Sequence, residues 1–327
     1  MRAIITGVTG QDGSHLADLL LGKGYEVLGV VRRSSCDTTG RIKHLSNNNK
    51  FKLCEGDVTD VSSVLNIFKN NHEVDEVYNL AAQSHVATSF KQPAHTWDVT
   101  GKGCLNLLQA LVDTELDAKF YQASSSEMFG SSFDRDRNGV KYQNENTKLM
   151  PNSPYAIAKT AAHHAVRIYR DAYELHASSG ILFNHEGPRR GDNFVTQKII
   201  NWISEFVKQY KSKDFPKLRL GNLDASRDWG FAGDYVEAMW LMLQQDKPDD
   251  YVICTGETHT IRDFLDIAFK QIDIDNWEDW VVIDPEFYRP SEVPYLKGDC
   301  SKAIKKLGWR PKYNLEGLIR LMLDAKL

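Results

Sequence analysis

Short apolar runs and amphipathic stretches alternate along the first half of the chain. Residues 3–6, 26–31, 51–55, 77–80, 119–123 and 178–183 are mostly apolar runs, too short for helices and without the strict polar alternation of a half-solvated strand. Between them, apolar residues recur at helical spacing: over 14–23 with Leu16, Leu19 and Leu20 on one face, over 61–70, over 97–111 with Leu105, Leu108 and Leu111 as core positions, and over 155–175. Buried strands alternating with helices predict an α/β fold, a doubly wound parallel sheet with helices on both faces.

After Phe183 the rhythm changes. Residues 184–191 are polar and cationic. A helix over 196–210, a strand over 218–220 and amphipathic helices over 261–272, 301–307 and 315–323 predict a smaller α/β C-terminal lobe. A strand near 251–254 can rejoin the main sheet. No linker rich in Pro, Gly or Ser and no repeat divides the chain, so the reading is one continuous unit: a core over 1–183 and a lobe over 184–327. Residues 34–49 are polar and rich in Ser, Thr and Asn, a long loop or a partner-binding arm.

Candidate chemistry lies at the ends of the predicted strands, where doubly wound sheets hold ligands. Gly7-Val8-Thr9-Gly10-Gln11-Asp12-Gly13 joins the first strand to the first helix. Glycines there permit a tight turn and let backbone N–H groups approach a pyrophosphate at a helix N-terminus, the pattern of a dinucleotide site. The second strand ends in Arg32-Arg33, and an arginine at that point suits a 2′-phosphate, so NADP is expected over NAD. Asp57, followed by Val58, ends the third strand, where it can accept a hydrogen bond from an adenine amino group or cap the next helix. Leu80-Ala81-Ala82-Gln83-Ser84 after the fourth strand leaves room for a flat ring or ribose.

Ser124-Ser125-Ser126-Glu127 follows the fifth strand, and Glu127 is a candidate general base. Ser153 is a good N-cap and Pro154 fits the first helical position, which puts Tyr155 and Lys159 one turn apart on a single face. An ammonium there favours phenolate over a phenol with an ordinary pKa of about 10. Alone the spacing is weak, since 13 Tyr in 327 residues make about one such pair expected by chance; the company of the glycine loop and Glu127 raises it.

Composition narrows the class. The chain is 42% hydrophobic and 26% charged with a net charge of -4, so it lacks the electrostatic footprint of a nucleic-acid binder. No apolar run has the length of a membrane span. The first residues enter a strand directly and do not read as a signal peptide. Five scattered cysteines without a Cys-x-x-Cys argue for a reduced, cytoplasmic setting and against metal or disulfide roles.

Taken together, the Gly7–Gly13 loop, Ser125, Tyr155 and Lys159 resemble the extended short-chain dehydrogenase/reductase superfamily. Further motifs are similar to one of its branches, the GDP-mannose 4,6-dehydratases: Arg32-Arg33-Ser34-Ser35, Ser124-Ser125-Ser126-Glu127, Gly180-Ile181-Leu182-Phe183-Asn184-His185-Glu186, Pro188-Arg189-Arg190-Gly191, Leu220-Gly221-Asn222-Leu223-Asp224, Arg227-Asp228-Trp229-Gly230 and Arg289-Pro290-Ser291-Glu292-Val293. The resemblance implies a Rossmann-type core, tightly held NADP, and conversion of GDP-mannose to GDP-4-dehydro-6-deoxy-D-mannose on the route to GDP-fucose and related deoxysugars. It implies that Ser125, Glu127, Tyr155 and Lys159 are catalytic, that Asn184, Lys198, Arg227, Arg289 and Glu292 hold the GDP-sugar with Ser84, and that His185 and Arg190 lie by the cofactor.

The chain departs from that pattern in few places. Ser125 stands where the family often has Thr, Gly187 where many members have Ser, and the stretch between Ile272 and Asp284 is shorter than in many. In the family the arm after Arg33 often reaches a neighbouring subunit, which implies a homo-oligomer, dimer or tetramer. A related nucleotide-sugar 4-reductase or epimerase would need the Tyr/Lys pair but no strong base at position 127. A non-catalytic scaffold on the same fold would be expected to have lost part of the set.

Overall fold

Seven parallel strands carry the molecule: β1 (Arg2–Thr6), β2 (Glu26–Val31), β3 (Phe51–Glu55), β4 (Glu76–Asn79), β5 (Lys119–Ser125), β6 (Ala177–Leu182) and β7 (Asp250–Ile253). In this computed structural model, which describes residues 1–209, 211–212 and 214–327, they lie in the order β7-β6-β5-β4-β1-β2-β3. Every pairing is parallel, and the register runs Ile4↔Leu28 and Ile4↔Val77 about the central strand. The expected return near 251–254 is β7, which pairs Tyr251 with Gly180. Strand order reverses between β1 and β4, which opens a crevice at the carboxyl ends of these two strands.

Helices cover both faces because the central strands β1, β4, β5 and β6 are buried on either side. Helices α1 (Gln11–Gly22) and α6 (Ala232–Leu243) pack on one side through Leu16, Leu20, Met239 and Met242. On the other side lie α2 (Val61–Lys69), α3 (Gly103–Asp113) and α4 (Pro154–Tyr173), with Val64, Phe68, Leu107, Phe120 and Val166. A third cluster fills the lobe, where α5 (Val195–Lys208), α7 (Ile261–Lys270) and α8 (Leu315–Asp324) close on Ile203, Phe206, Trp229, Phe264 and Met322.

The structure differs from the sequence pattern in three places. The helix expected over 97–111 is broken: Trp97–Lys102 is one wide π-helical stretch and α3 starts at Gly103. The wider turn rotates the faces that follow it. Leu105, expected in the core, is therefore 43% exposed, while Leu107, Leu108 and Leu111 are buried.

The stretch over 34–49 is only partly a loop. Gly40–Leu45 forms a 3-10 helix that buries Ile42 and Leu45, and the Arg41 Nε donates to the Arg189 carbonyl at 2.7 Å. The helix expected over 196–210 is α5, ending at Lys208; Tyr210 lies outside the described residues.

Candidate active site

The turn after β1 is built from backbone. Gly7 has φ +70, the left-handed region that favours glycine, and a Cβ there would lie 2.8 Å from the Leu80 carbonyl carbon. A Cβ on Gly13 would lie 2.3 Å from the Gly7 carbonyl oxygen, so α1 can start hard against the strand only because that residue is glycine. Gly10 caps α1 with no side-chain hydrogen bond, which leaves the first N–H groups of the helix facing the crevice. Gly7, Thr9, Gly10, Gln11, Asp12 and Gly13 all line one cavity of about 1470 Å³. That N-terminus and the close approach of Gly7 fit the pyrophosphate of a dinucleotide.

The rest of the predicted cofactor set lines the same cavity: Arg32, Asp57, Val58, Leu80, Ala81, Ala82, Gln83 and Ser84. Arg32 makes no ion pair among the described residues, whereas Arg33 is not among the lining residues. Asp57 does not cap α2. Asp60 does, accepting from the Ser62 and Ser63 amides, while the Asp57 carboxylate accepts from the Thr59 amide and hydroxyl at 2.9 and 2.8 Å. Asp57 therefore braces the turn one step earlier than a helix cap would.

Ser125, Glu127, Tyr155 and Lys159 meet at the ends of β5 and the first turns of α4. Ser153 caps α4, accepting from the Ala156 amide, with Pro154 beside it, as the sequence predicts. The Glu127 side chain is 12% exposed, turned into the cavity, with an oxygen 3.8 Å from an Arg289 nitrogen. The Lys159 Nζ lies 5.8 Å from the Tyr155 ring centroid and donates to the Ala123 carbonyl at 2.6 Å. Burial pushes Lys159 down to about 8. Burial also pushes Tyr155 up to about 12, against the Ser125 hydroxyl and with the Glu127 charge. This direction is opposite to the one expected from the ammonium alone, because desolvation of the phenolate dominates and Lys159 is turned toward Ala123.

His185 is held at both ring nitrogens. Nδ1 donates to the Phe183 carbonyl at 2.7 Å, and Nε2 lies 2.8 Å from the Asp12 carboxylate. Both partners are acceptors, an arrangement that favours the doubly protonated ring. Its pKa is raised: burial works against the charge, and Asp12 outweighs it. Asp12 is driven low by His185 and Arg190 in spite of its burial. Arg190 stacks on Phe194, its guanidinium carbon 3.5 Å from the ring centroid.

The lobe supplies Asn184, Lys198, Arg227, Arg289 and Glu292, which complete the predicted set on the cavity wall. Strand Asn184–Glu186 pairs with Trp229–Phe231, so the segment after β6 and the Arg227 turn are stitched together. Arg227 is 6% exposed and donates to the Glu292 carboxylate at 2.6 Å; Arg289 reaches the same carboxylate at 3.4 Å. The Lys198 Nζ sits 3.7 Å from the centroid of the Phe287 ring.

Two features escaped the sequence reading. Phe194 and Phe287 offer apolar faces to cavity cations, and nothing in their spacing marks them. Asp228, wholly buried, accepts from the Thr255 and Gly256 amides at 2.8 and 2.9 Å and so pins the Arg227 turn to the end of β7. Among the described residues no cluster of three or more His, Cys, Asp or Glu side chains is suited to a metal ion, and no helix is long and apolar enough to cross a membrane.

The profile of the family described as GDP-mannose 4,6 dehydratase matches residues 4–322. The chain belongs to this family. It is 52% identical to GDP-mannose 4,6 dehydratase 1 of Arabidopsis thaliana over 338 residues, covering 99% of this chain and 89% of that protein. It is 47% identical to the GDP-mannose 4,6 dehydratase of Homo sapiens, covering 99% and 90%. Among solved structures it is similar to a dTDP-glucose 4,6-dehydratase from Bacillus anthracis in complex with NAD, with TM-score 0.83, 19% identity and coverage of 99% and 96%. A UDP-glucose 4-epimerase from Thermus thermophilus with NAD gives TM-score 0.83 at 26% identity, covering 99% and 98%. Family membership and these neighbours support a nicotinamide dinucleotide cofactor and a small-molecule substrate.

Proposed function

We propose that this chain is a hydro-lyase that converts GDP-D-mannose to GDP-4-dehydro-6-deoxy-D-mannose and water, with NADP as its resident cofactor. The observation that carries the reading is a buried carboxylate, Glu127, in the same cavity as the Tyr155–Lys159 pair. An epimerase or 4-reductase needs the pair alone; elimination needs a base as well.

A bound nicotinamide dinucleotide supplies a hydride acceptor for C4, a hydride donor for C6 and a positive ring charge that favours phenolate. Tyr155 takes the proton of the 4-hydroxyl, and Ser125 hydrogen-bonds the 4-oxygen as charge develops. The 4-ketone so formed acidifies the C5 hydrogen. Glu127 removes that proton and delivers it to the departing 6-hydroxyl, which leaves as water. Reduction at C6 then requires a proton back at C5. The proton that Tyr155 took from the 4-hydroxyl, returned through Tyr155 or by exchange with solvent, closes the balance and restores the phenolate. Arg227, Arg289 and Lys198 suit the anionic diphosphate and its nucleoside, with Asn184, Ser84 and Glu292 orienting the sugar end. His185 and Arg190 border the cofactor.

Arg32, which follows β2 and makes no ion pair among the described residues, supports NADP over NAD. The division of labour follows the chain: residues 1–183 hold cofactor and catalytic groups, and 184–327 mainly hold the nucleotide-sugar. An oligomer is supported by Trp97, Leu105, Ile157 and Ile168, each 43–53% exposed on adjoining helical segments.

The test is direct. Purified protein incubated with GDP-mannose yields a product lighter by one water. Glu127→Gln keeps cofactor and GDP-mannose binding and loses turnover by about 10²–10⁴-fold. A folded, cofactor-loaded wild type that leaves GDP-mannose unchanged would falsify the assignment.

A further inference from the structure

A row of buried amides and hydroxyls crosses the middle of the sheet from the dinucleotide turn to Lys159. Thr6, Asn79 and Gln122 stand side by side on β1, β4 and β5, in register as Thr6↔Asn79 and Asn79↔Gln122. Each is at most 2% exposed. The Thr6 hydroxyl donates to Asn79 Oδ1 at 2.7 Å, Asn79 Nδ2 donates to Gln122 Oε1 at 2.7 Å, and Gln122 Nε2 donates to the Ala123 carbonyl at 3.0 Å. Lys159 donates to that same carbonyl. At the other end the Thr6 oxygen accepts from the Leu80 and Ala81 amides, both at 3.2 Å.

Polar side chains at three successive strands of a buried sheet need a reason, since any one left unpaired is costly. Every bond in the row points the same way, so the N–H end of Gln122 falls on the Ala123 oxygen, and together with Lys159 it occupies both acceptor sites of that carbonyl and holds its direction. Pairing of β4 with β5 stops at Asn79↔Gln122, so beyond Gln122 strand β5 has no backbone neighbour on that side. Side chains take over there.

We infer that Asn79 and Gln122 are positioning residues, which aim the Ala123 carbonyl at Lys159 and so fix the ammonium in place beside Tyr155 and tie it to the floor of the dinucleotide site. The effect on charge follows from the surroundings. Facing Lys159 are Cys104 from α3, Asp12 from α1 and Tyr155 on its own helix. Burial moves the amine down to about 8, and a hydrogen bond to a carbonyl held in place opposes further loss of the charge. Without the row the carbonyl can turn away from Lys159, that bond weakens, and the amine loses its proton at lower pH. The functional meaning rests on the dehydratase reading; the geometry does not.

The experiment measures Lys159 itself. Its rate of acylation by acetic anhydride against pH, read by peptide mass spectrometry on the cofactor-free protein, gives an apparent pKa without substrate or turnover. In Gln122→Met that value falls by about one pH unit, the size of one hydrogen bond to a charged group. Asn79→Leu leaves Gln122 its contact with Ala123 and gives a smaller fall of the same sign; it serves as the probe if Gln122→Met does not fold. Val77→Ala, in the same strand and buried but outside the row, lowers the melting temperature and leaves the Lys159 value unmoved. A folded Gln122→Met or Asn79→Leu with the wild-type value overturns the inference, as does an equal fall in Val77→Ala. Failure to dehydrate GDP-mannose would remove the functional reading and leave this result standing.

Discussion

The two walls of the cavity are made in different ways. The wall we assign to the dinucleotide is mostly backbone: a left-handed glycine, an uncapped helix start and a floor of small residues at the end of β4. The nucleotide-sugar wall is mostly long charged side chains, and they already hold one another, Arg227 and Arg289 sharing the Glu292 carboxylate. Backbone shape cannot be adjusted by a rotamer change, whereas a side-chain ion pair can exchange one partner for another. The first wall suits a cofactor that stays through the cycle; the second suits a ligand that arrives and leaves.

This contrast predicts unequal tolerance. Gly13→Ala puts a methyl carbon 2.3 Å from a main-chain oxygen that cannot move without opening the turn. It should abolish measurable dinucleotide binding and cost about 1–3 kcal/mol of stability by overpacking. Calorimetric titration with NADP and a thermal melt check both. Wild-type affinity in the folded variant would mean that the turn is not the rigid part of the site.

Arg227→Lys tests the other wall. A lysine keeps the charge and loses the planar fork, so about 1.5–3 kcal/mol of charge-assisted hydrogen bonding is lost, or about ten- to a hundredfold. That loss should appear in KM for GDP-mannose with cofactor affinity unchanged. A weakened hold on NADP instead would show that the two walls are not separate.

How much of this could be read from the sequence depended on whether chemistry lay along the chain or across it. The seven strands, the cap of α4 and the Tyr155–Lys159 face were legible because they follow from local periods and one-turn spacing. Leu105 was misplaced because a π-helical stretch over Trp97–Lys102 shifts the face, and no single residue there announces it. Of the two readings of Asp57, the helix cap fails because Asp60, three residues on, takes that helix start with equal chemistry. The direction of the Tyr155 shift was missed because desolvation depends on what covers the phenol, and most of that comes from elsewhere in the chain. The residues that position others, Asn79, Gln122 and Asp228, bond across strands or between lobe and sheet, and their spacing carries no trace of it.

The smallest effect is expected where the two walls touch. Asp12 comes from the dinucleotide turn and His185 from the first residues of the lobe, and they form one ion pair. His185 is raised above its ordinary value of about 6.5, so its stabilising share is complete below that pH and is lost as pH rises through the folded value. Asp12 is held below its ordinary value of about 3.9, so its share is present above that pH and is lost on acidification. The pair therefore supports the fold most between about pH 4 and pH 6.5. Burial opposes the imidazolium charge, which leaves a small net contribution; at about 1 kcal/mol it shifts the melting temperature of a chain this size by about 2 °C. Melting curves of wild type and His185→Gln should differ by that amount near pH 6 and converge toward pH 9, with Arg190, the other charge facing Asp12, present in both. A difference that stays constant from pH 5 to pH 9 would mean that the walls meet through packing against Tyr235, whose ring centroid lies 4.7 Å from that of His185, and not through charge.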